Sequence, residues 1–442
     1  SPISPNGIAT LSTAGGSGTG AVSYEVTSGG ALCSVSDNIA SGSNAGPGSC
    51  VVTATKQGDA SYKSATATVT IGIGLASQTI SFPAIAAQRF APGFTMPLNA
   101  AATSDLEVTF ASNTVDVCTS SGENSAILTF VAAGTCSITA SQAGNLNFAA
   151  ATDVTRSFTI EKILQTISFT KPPDQTYVSG GTLALTATGG DSGQPVTFTS
   201  TTTSVCTTGG PNGATVTFET AGECLVTAFQ AGSTNYAAAS PVTRQFMIGQ
   251  AGQAITFAKP ADQIYAPGAT LTLSATGGAS GQPVTFASTT SGICTTGGTN
   301  GATVTLVSTG ICSITASQSG NSNYSPAQPV QRSFSIEQAE QSIVFAQPAD
   351  QLFAPGSTLQ LSATGGASGQ PVTFTSTTTS VCTTGGENGA TVTLVSAGSC
   401  SITASQAGNK DYAAAEPVTR SFVIRQAEQA ITFAKPADQV YA

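Results

Sequence analysis

Apolar and polar residues alternate along this chain in short bursts. Leu183, Leu185 and Ala187 stand between Ala184, Thr186 and Thr188, and Val216 and Phe218 stand among threonines in Thr215-Val-Thr-Phe218. A period of two places alternate side chains on one face of a pleated strand, so each burst predicts a half-buried β-strand. Ile167 and Phe169 predict a first strand, which Lys171-Pro-Pro-Asp174 must break because proline cannot donate to a sheet ladder. Val196 and Phe198 carry a further strand, and Thr-rich sequence extends the pattern to Val205-Cys206. Gly209-Gly-Pro-Asn-Gly213 predicts a hairpin turn in which Asn-Gly takes up positive φ. Ala221-Gly222 turns the chain into Cys224-Leu-Val-Thr-Ala228, and Val242-Thr-Arg-Gln-Phe-Met-Ile248 is the last strand. About seven short strands, turns every eight to twelve residues and no helical period predict an antiparallel two-sheet sandwich of immunoglobulin type.

The same pattern returns at a fixed interval. Gln165-Thr-Ile-Ser-Phe169 recurs as Gln253-Ala-Ile-Thr-Phe257, Gln341-Ser-Ile-Val-Phe345 and Gln429-Ala-Ile-Thr-Phe433, each 88 residues on, and Gln78-Thr-Ile-Ser-Phe82 precedes them by 87. Length alone suggests about three domains, but a period this long makes the chain a tandem array of one small module. The expected boundaries are 1–77, 78–164, 165–252, 253–340 and 341–428, with 429–442 as the first strand of a following module or a donated strand. The first module lacks its first strand and carries Gly46-Pro-Gly48 before its second cysteine.

Cysteine usage sets the compartment. Cys33/Cys50, Cys118/Cys136, Cys206/Cys224, Cys294/Cys312 and Cys382/Cys400 place two in every module, 17 residues apart in the first and 18 in the others. Even counts at fixed spacing predict one disulfide per module and an oxidising compartment outside the cytoplasm. A metal site is the rival, but two cysteines with no histidine anywhere cannot fill four tetrahedral positions. Because Cys136 and Cys400 share strand parity with Ile138 and Ile402, the bridge should be buried; closing such a loop stabilises a module by about 3 kcal/mol.

Composition narrows the partners. Only 8% of residues are charged, so solubility rests on Thr, Ser, Asn, Gln and Gly, and a net charge of −9 argues against nucleic acid and anionic membrane. No run of 18 apolar residues predicts a membrane span, and the N-terminus carries no basic-then-apolar signal, as in a processed or internal segment. With no His and no Trp, and with every cysteine committed, a Ser/His or Cys/His nucleophile pair is impossible and the carboxylates are scattered. The expectation is a protein that is not an enzyme, with no catalytic, cofactor or metal residues.

Residues 78 to 428 resemble the bacterial immunoglobulin-like repeats of very large secreted and cell-surface proteins. The segments that carry the resemblance are Gln-Ala-Ile-Thr-Phe, Pro-Ala-Asp-Gln, Gly-Gln-Pro-Val-Thr-Phe, Val-Cys-Thr, Gly-Ser-Cys-Ser-Ile-Thr-Ala-Ser-Gln-Ala-Gly-Asn and Val-Thr-Arg-Ser-Phe, all visible between 341 and 434. The resemblance implies the sandwich fold and a place outside the cell, where such repeats serve as stalks, adhesin spacers and fibre subunits.

Four sets of recurring residues invite a functional reading. Asp174, Asp262, Asp350 and Asp438 precede Gln in the loop after the first strand, with Ala87 in the second module. Calcium would want clustered oxygens there, and an Asp capping a turn is the preferred reading. Lys171, Lys259 and Lys435 suggest lysine–asparagine cross-links, an idea that fails where Gln347 and Ala84 replace them. Arg156, Arg244, Arg332 and Arg420, with Ala67 in the first module, share parity with core-facing neighbours, so their stems should line the sandwich end while the guanidinium reaches solvent or loop carbonyls. Glycine turns such as Gly365-Gly-Ala-Ser-Gly369 superficially match phosphate loops, but they join strand to strand without a helix or lysine, and are turns.

The joints Glu161-Lys-Ile-Leu164, Gly249-Gln-Ala-Gly252, Glu337-Gln-Ala-Glu340 and Arg425-Gln-Ala-Glu428 are too short for floppy coil. Modules of on the order of 40 Å should sit end to end in a rod, bending at Gly249–Gly252 and Gly72–Ser77. Residues 429–442 supply the strand that the first module lacks. Two readings follow: a longer array interrupted within a repeat, or a head-to-tail fibre in which one copy completes the next by strand addition. The sequence thus predicts an extracellular structural repeat protein, a stalk or filament at a bacterial surface whose partners are neighbouring copies or modules. An adhesin whose modules bind a surface ligand is the alternative.

Overall fold

The computed structural model describes residues 2–437; Asp438 and the end of the 429–442 segment lie outside the described residues. Two compact units are present: Ser1–Pro172 with Thr182–Thr217 and Cys224–Phe246, and Pro173–Gly181 with Phe218–Glu223 and Met247–Ala442. Both are built from the same kind of sandwich.

The fifth module shows the plan. Its larger sheet runs in the order Gln351–Leu352, Val418–Arg425, Gly398–Gln406, Val372–Ser376, and its smaller sheet in the order Thr358–Gln360, Thr391–Leu394, Cys382–Gly385. Pairing is antiparallel except at one edge, where Gln351 and Leu352 run parallel to Ile424 and Arg425. The inward residues are those the alternation selects: Phe374, Val392, Leu394, Ile402, Ala404, Phe422 and Ile424 form one buried cluster with the two cysteines. Threonine and serine fill the alternate, outward positions of the same strands, which gives the sheets polar faces at no cost to β-propensity.

The expected first strand is reduced. In the fifth module it is Val344–Phe345 against Ala363–Thr364, and in the third only Ser168 pairs with Thr188. The prolines that follow at once prevent a longer ladder. Its anchoring comes from side chains instead: Ile167 and Phe169 are buried, and the Phe169 ring meets Phe198 edge-on at 5.3 Å. The hairpin after the first cysteine strand is a short 3₁₀ turn, Pro211–Gly213, with Asn212 and Gly213 at φ 58° and 71° as Asn-Gly requires.

The first module has a smaller core: Leu11, Cys33, Ala40, Cys50, Val52, Ile71 and Ile73, with no phenylalanine. The second packs Phe82, Phe90, Phe110, Phe130 and Phe158 around its bridge.

Candidate functional site: staples and joints

All five cysteine pairs are bonded, none is free, and the bridged Cα atoms lie 5.7 Å apart in four modules and 6.2 Å in the first. Each bridge crosses between the sheets; Cys118 sits in the smaller sheet of the second module and Cys136 in the larger. A Ser-x-Thr segment ahead of the first cysteine holds the site: the Thr114, Thr202, Thr290 and Thr378 hydroxyls accept the amides of Ser137, Leu225, Ser313 and Ser401 at 2.9–3.0 Å. The serines two places earlier put their hydroxyls 3.2–3.4 Å from the sulfur of Cys118, Cys206, Cys294 or Cys382. The sequence displays this motif openly, and cysteine counting alone passes over it.

The recurring aspartates do not cap their own turn. Asp174, Asp262 and Asp350 reach across to the last strand, where Oδ1 accepts the amides of Met247, Ser335 and Val423 at 2.8–2.9 Å. That edge is paired only from Ile248, Ile336 and Ile424 onward, so the carboxylate satisfies a donor the ladder leaves open. Those amides hold the carboxyls of Asp262 and Asp350 below the ordinary value, with Lys259 and Arg425 adding to the effect. Lys259 pairs with Asp262 at 3.1 Å, a contact of ordinary electrostatic kind.

The arginines share a face with core residues, Arg156 standing opposite buried Ile138 and Arg332 opposite Ile314, yet all four are exposed. Their side chains stay outside although the next residues of the same parity, Val154, Val330 and Val418, pack against the core. Their guanidinium groups donate to carbonyls, Arg156 to Phe82 O and the others to the preceding residue.

The Gly-Gly turns answer to two glutamines. Gln230, Gln318 and Gln406 are buried, and each accepts the second glycine's amide while donating to the carbonyl of Gln194, Gln282 or Gln370. A Cβ on Gly189, Gly277 or Gly365 would lie 2.5 Å from that amide nitrogen, and one on Gly190, Gly278 or Gly366 would lie 2.5 Å from Gln165, Gln253 or Gln341. Those first-strand glutamines donate in turn to loop carbonyls, as Gln165 does to Ala231 and Ala237. The turn is a socket for two amides.

The joints carry an arrangement the sequence reading missed. Linker residues Ile163, Ala251 and Ala339 form parallel bridges to Tyr236, Tyr324 and Tyr412 of the following module. The residue before each tyrosine latches back onto the preceding module: Asn235 accepts the Ala133 amide at 2.9 Å, Asn323 that of Ala221 at 2.8 Å, and Asp411 that of Thr309 at 2.7 Å. Asp411 takes a second bond from the Ser308 hydroxyl at 2.6 Å, which leads the lowering of its carboxyl below the ordinary value. Edge-on tyrosine pairs, Tyr177–Tyr324 at 5.8 Å and Tyr265–Tyr412 at 5.7 Å, cover two of these latches. Burial, with Asp411 nearby, pushes the Tyr265 hydroxyl up. The glycines of 249–252 therefore lie in a joint latched like that of 337–340. The joint between the first two modules differs: Pro47 stands where Ala133 donates, so no amide exists, and the Oδ1 of Asn147 is buried with no partner. The recurring Asn-Tyr, Asn-Phe and Asp-Tyr dipeptides were the available signal.

Among the described residues, no three of the acidic, cysteine or histidine side chains come together as metal ligands, and no helix is long and apolar enough to cross a membrane. No family model and no curated protein matches the chain. Solved structures similar to it are tandem extracellular repeats. A protocadherin GammaB4 extracellular domain is 13% identical, over 97% of this chain and 82% of that one, at a TM-score of 0.34. Mouse cadherin-23 EC22-24 is 12% identical over 60% of this chain and 98% of that one, at 0.27. Drosophila N-cadherin EC1-4 is 11% identical over 75% and 94%, at 0.21.

Proposed function

We propose that this chain is part of an extracellular structural array, a stalk or filament at a bacterial surface, in which modules bounded near 77, 164, 252, 340 and 428 are joined end to end with further modules or copies of their own kind. The observation that carries the reading is the buried inter-sheet disulfide in all five modules, at the same place in each sandwich. A staple of this kind resists unfolding and proteolysis and supplies no chemistry. The short latched joints support the same reading, because a carboxamide on a neighbour's backbone fixes direction better than a loose linker.

Negatively stained native material should show beads on a thin thread, and unfolded, unreduced protein should give no reaction with a thiol reagent. Scattered globules, or two reactive thiols per module, defeat the reading.

A second reading, an adhesin whose modules bind a surface ligand, is favoured by Ile264 and Leu352, which stand exposed at equivalent positions of two modules. Saturable binding of a defined ligand to one isolated module would place it first.

A further inference from the structure

We propose that Tyr177–Tyr324 and Tyr265–Tyr412 are sites of oxidative tyrosine–tyrosine cross-linking. At each, a peroxide acting through a one-electron oxidant of peroxidase type joins neighbouring modules by a carbon–carbon bond. The two pairs are distinct from the disulfides and side-chain latches on which the array reading stands.

Each pair is held from both sides by one linker. The Tyr177 amide donates to the Gly249 carbonyl at 2.8 Å. Two residues on, Ala251 bridges to Tyr324, its amide donating to the Asn323 carbonyl and its own carbonyl accepting the Ser325 amide, both at 2.9 Å. The next linker repeats the arrangement: the Tyr265 amide donates to the Glu337 carbonyl at 2.8 Å, and Ala339 bridges to Tyr412. A ring from each module is thereby set against a ring of its neighbour, with centroids 5.8 and 5.7 Å apart and planes at 86° in both pairs.

Packing at a joint does not demand two phenols, since phenylalanine offers the same ring face and edge. At the joint between the second and third modules, Phe90 donates its amide to the Glu161 carbonyl while Ile163 bridges to Tyr236. At the joint before it, Ala76 bridges to Phe148. The same scaffold therefore accepts phenylalanine on either side, and a phenol on both sides adds a chemistry that packing does not require.

In that chemistry each tyrosine loses one electron and its hydroxyl proton, giving two phenoxyl radicals. The radicals form one bond between ring carbons ortho to the oxygens, and the hydrogens displaced there return as protons to the two oxygens. One hydrogen peroxide takes up the two electrons and two protons and leaves as two waters. The partners are already in contact, so coupling is intramolecular and outpaces collision between chains. A bond from Tyr177 to Tyr324 closes residues 177–324 into a loop, and one from Tyr265 to Tyr412 closes 265–412. Tension then crosses the joint through the link instead of extending the chain inside the loop.

The test treats the 442-residue chain, at high dilution, with a haem peroxidase and limited hydrogen peroxide. Dityrosine fluorescence is read first, then peptide masses after reduction and digestion. Monomers should lose two hydrogens per link, and the linked peptides should be Tyr177–Tyr324 and Tyr265–Tyr412 above all others. Tyr324→Phe, which copies Phe148, should lose the first link and halve the fluorescence, while its surviving second link shows that the variant folds. Absence of links, links made only between chains, or links spread equally over Tyr24 and Tyr62 of the first module overturn the proposal. Undiminished fluorescence in Tyr324→Phe overturns it as well.

Discussion

At the residue scale, two positions carry consequences that composition hides. Gly365 has an ordinary backbone conformation, so its glycine is demanded by the Gln406 amide that occupies its Cβ space. Gly365→Ala should push that buried amide off Gly366 and Gln370 and destabilise the fifth module by about 1–3 kcal/mol in denaturant unfolding. Gly385→Ala, with nothing within 4 Å, should stay within about 0.5 kcal/mol. Asp411 is the other position. Its carboxyl is held low by the Ser308 hydroxyl and Thr309 amide, so the docked joint favours the ionised form. That contribution is complete above the ordinary carboxylate value and is lost as pH falls through the lowered one. Hydrogen exchange should find the Thr309 amide protected at neutral pH and opening below about pH 3.8, the ordinary value. In Asp411→Asn, which copies Asn235 and Asn323, protection should persist through the same range. Equal acid sensitivity in both proteins would show that Asp411 is not the group that titrates.

At the element scale, local alternation revealed the strands, and long-range pairing decided the rest. Period two selected Phe198, Val216, Phe218 and the cysteines because each lies on the inward face of its own strand, whichever of the two sheets holds it. It misjudged Asp174, because the amide that Asp174 accepts comes from Met247, 73 residues further on, and no window around an aspartate contains it. It placed the arginine guanidinium groups correctly at solvent and carbonyls, but parity alone does not reveal that the stems stay exposed beside core-packed Val154 and Val330. Asn235, Asn323 and Asp411 escaped notice since they sit in irregular loops whose partners lie 102 residues away. The staple itself was legible from spacing, and its removal is a clean element-level test. Replacing Cys294 and Cys312 together by alanine should cost the fourth module about 2–5 kcal/mol. Protease should then cut within 253–340 first, with the other modules retaining their resistance; unchanged resistance of the fourth would mean that the sandwich needs no staple.

At the scale of the whole chain, the decisive question is whether the modules unfold one by one. Each owns a core and a bridge, and the joints add only a few hydrogen bonds and ring contacts, so the modules should fail separately when a single molecule is stretched from its ends. Each failure releases the residues outside the disulfide loop, while the loop of 18 residues stays locked. Reduction should therefore lengthen every step by about 60 Å, from the reach of an extended chain. The first module should break at the lowest force: its core has no phenylalanine, and its joint to the second lacks the backbone donor that Pro47 removes. Five steps that lengthen on reduction would establish five independently folding modules; fewer, larger steps would mean that latched neighbours unfold together and that the joint, not the module, is the mechanical unit.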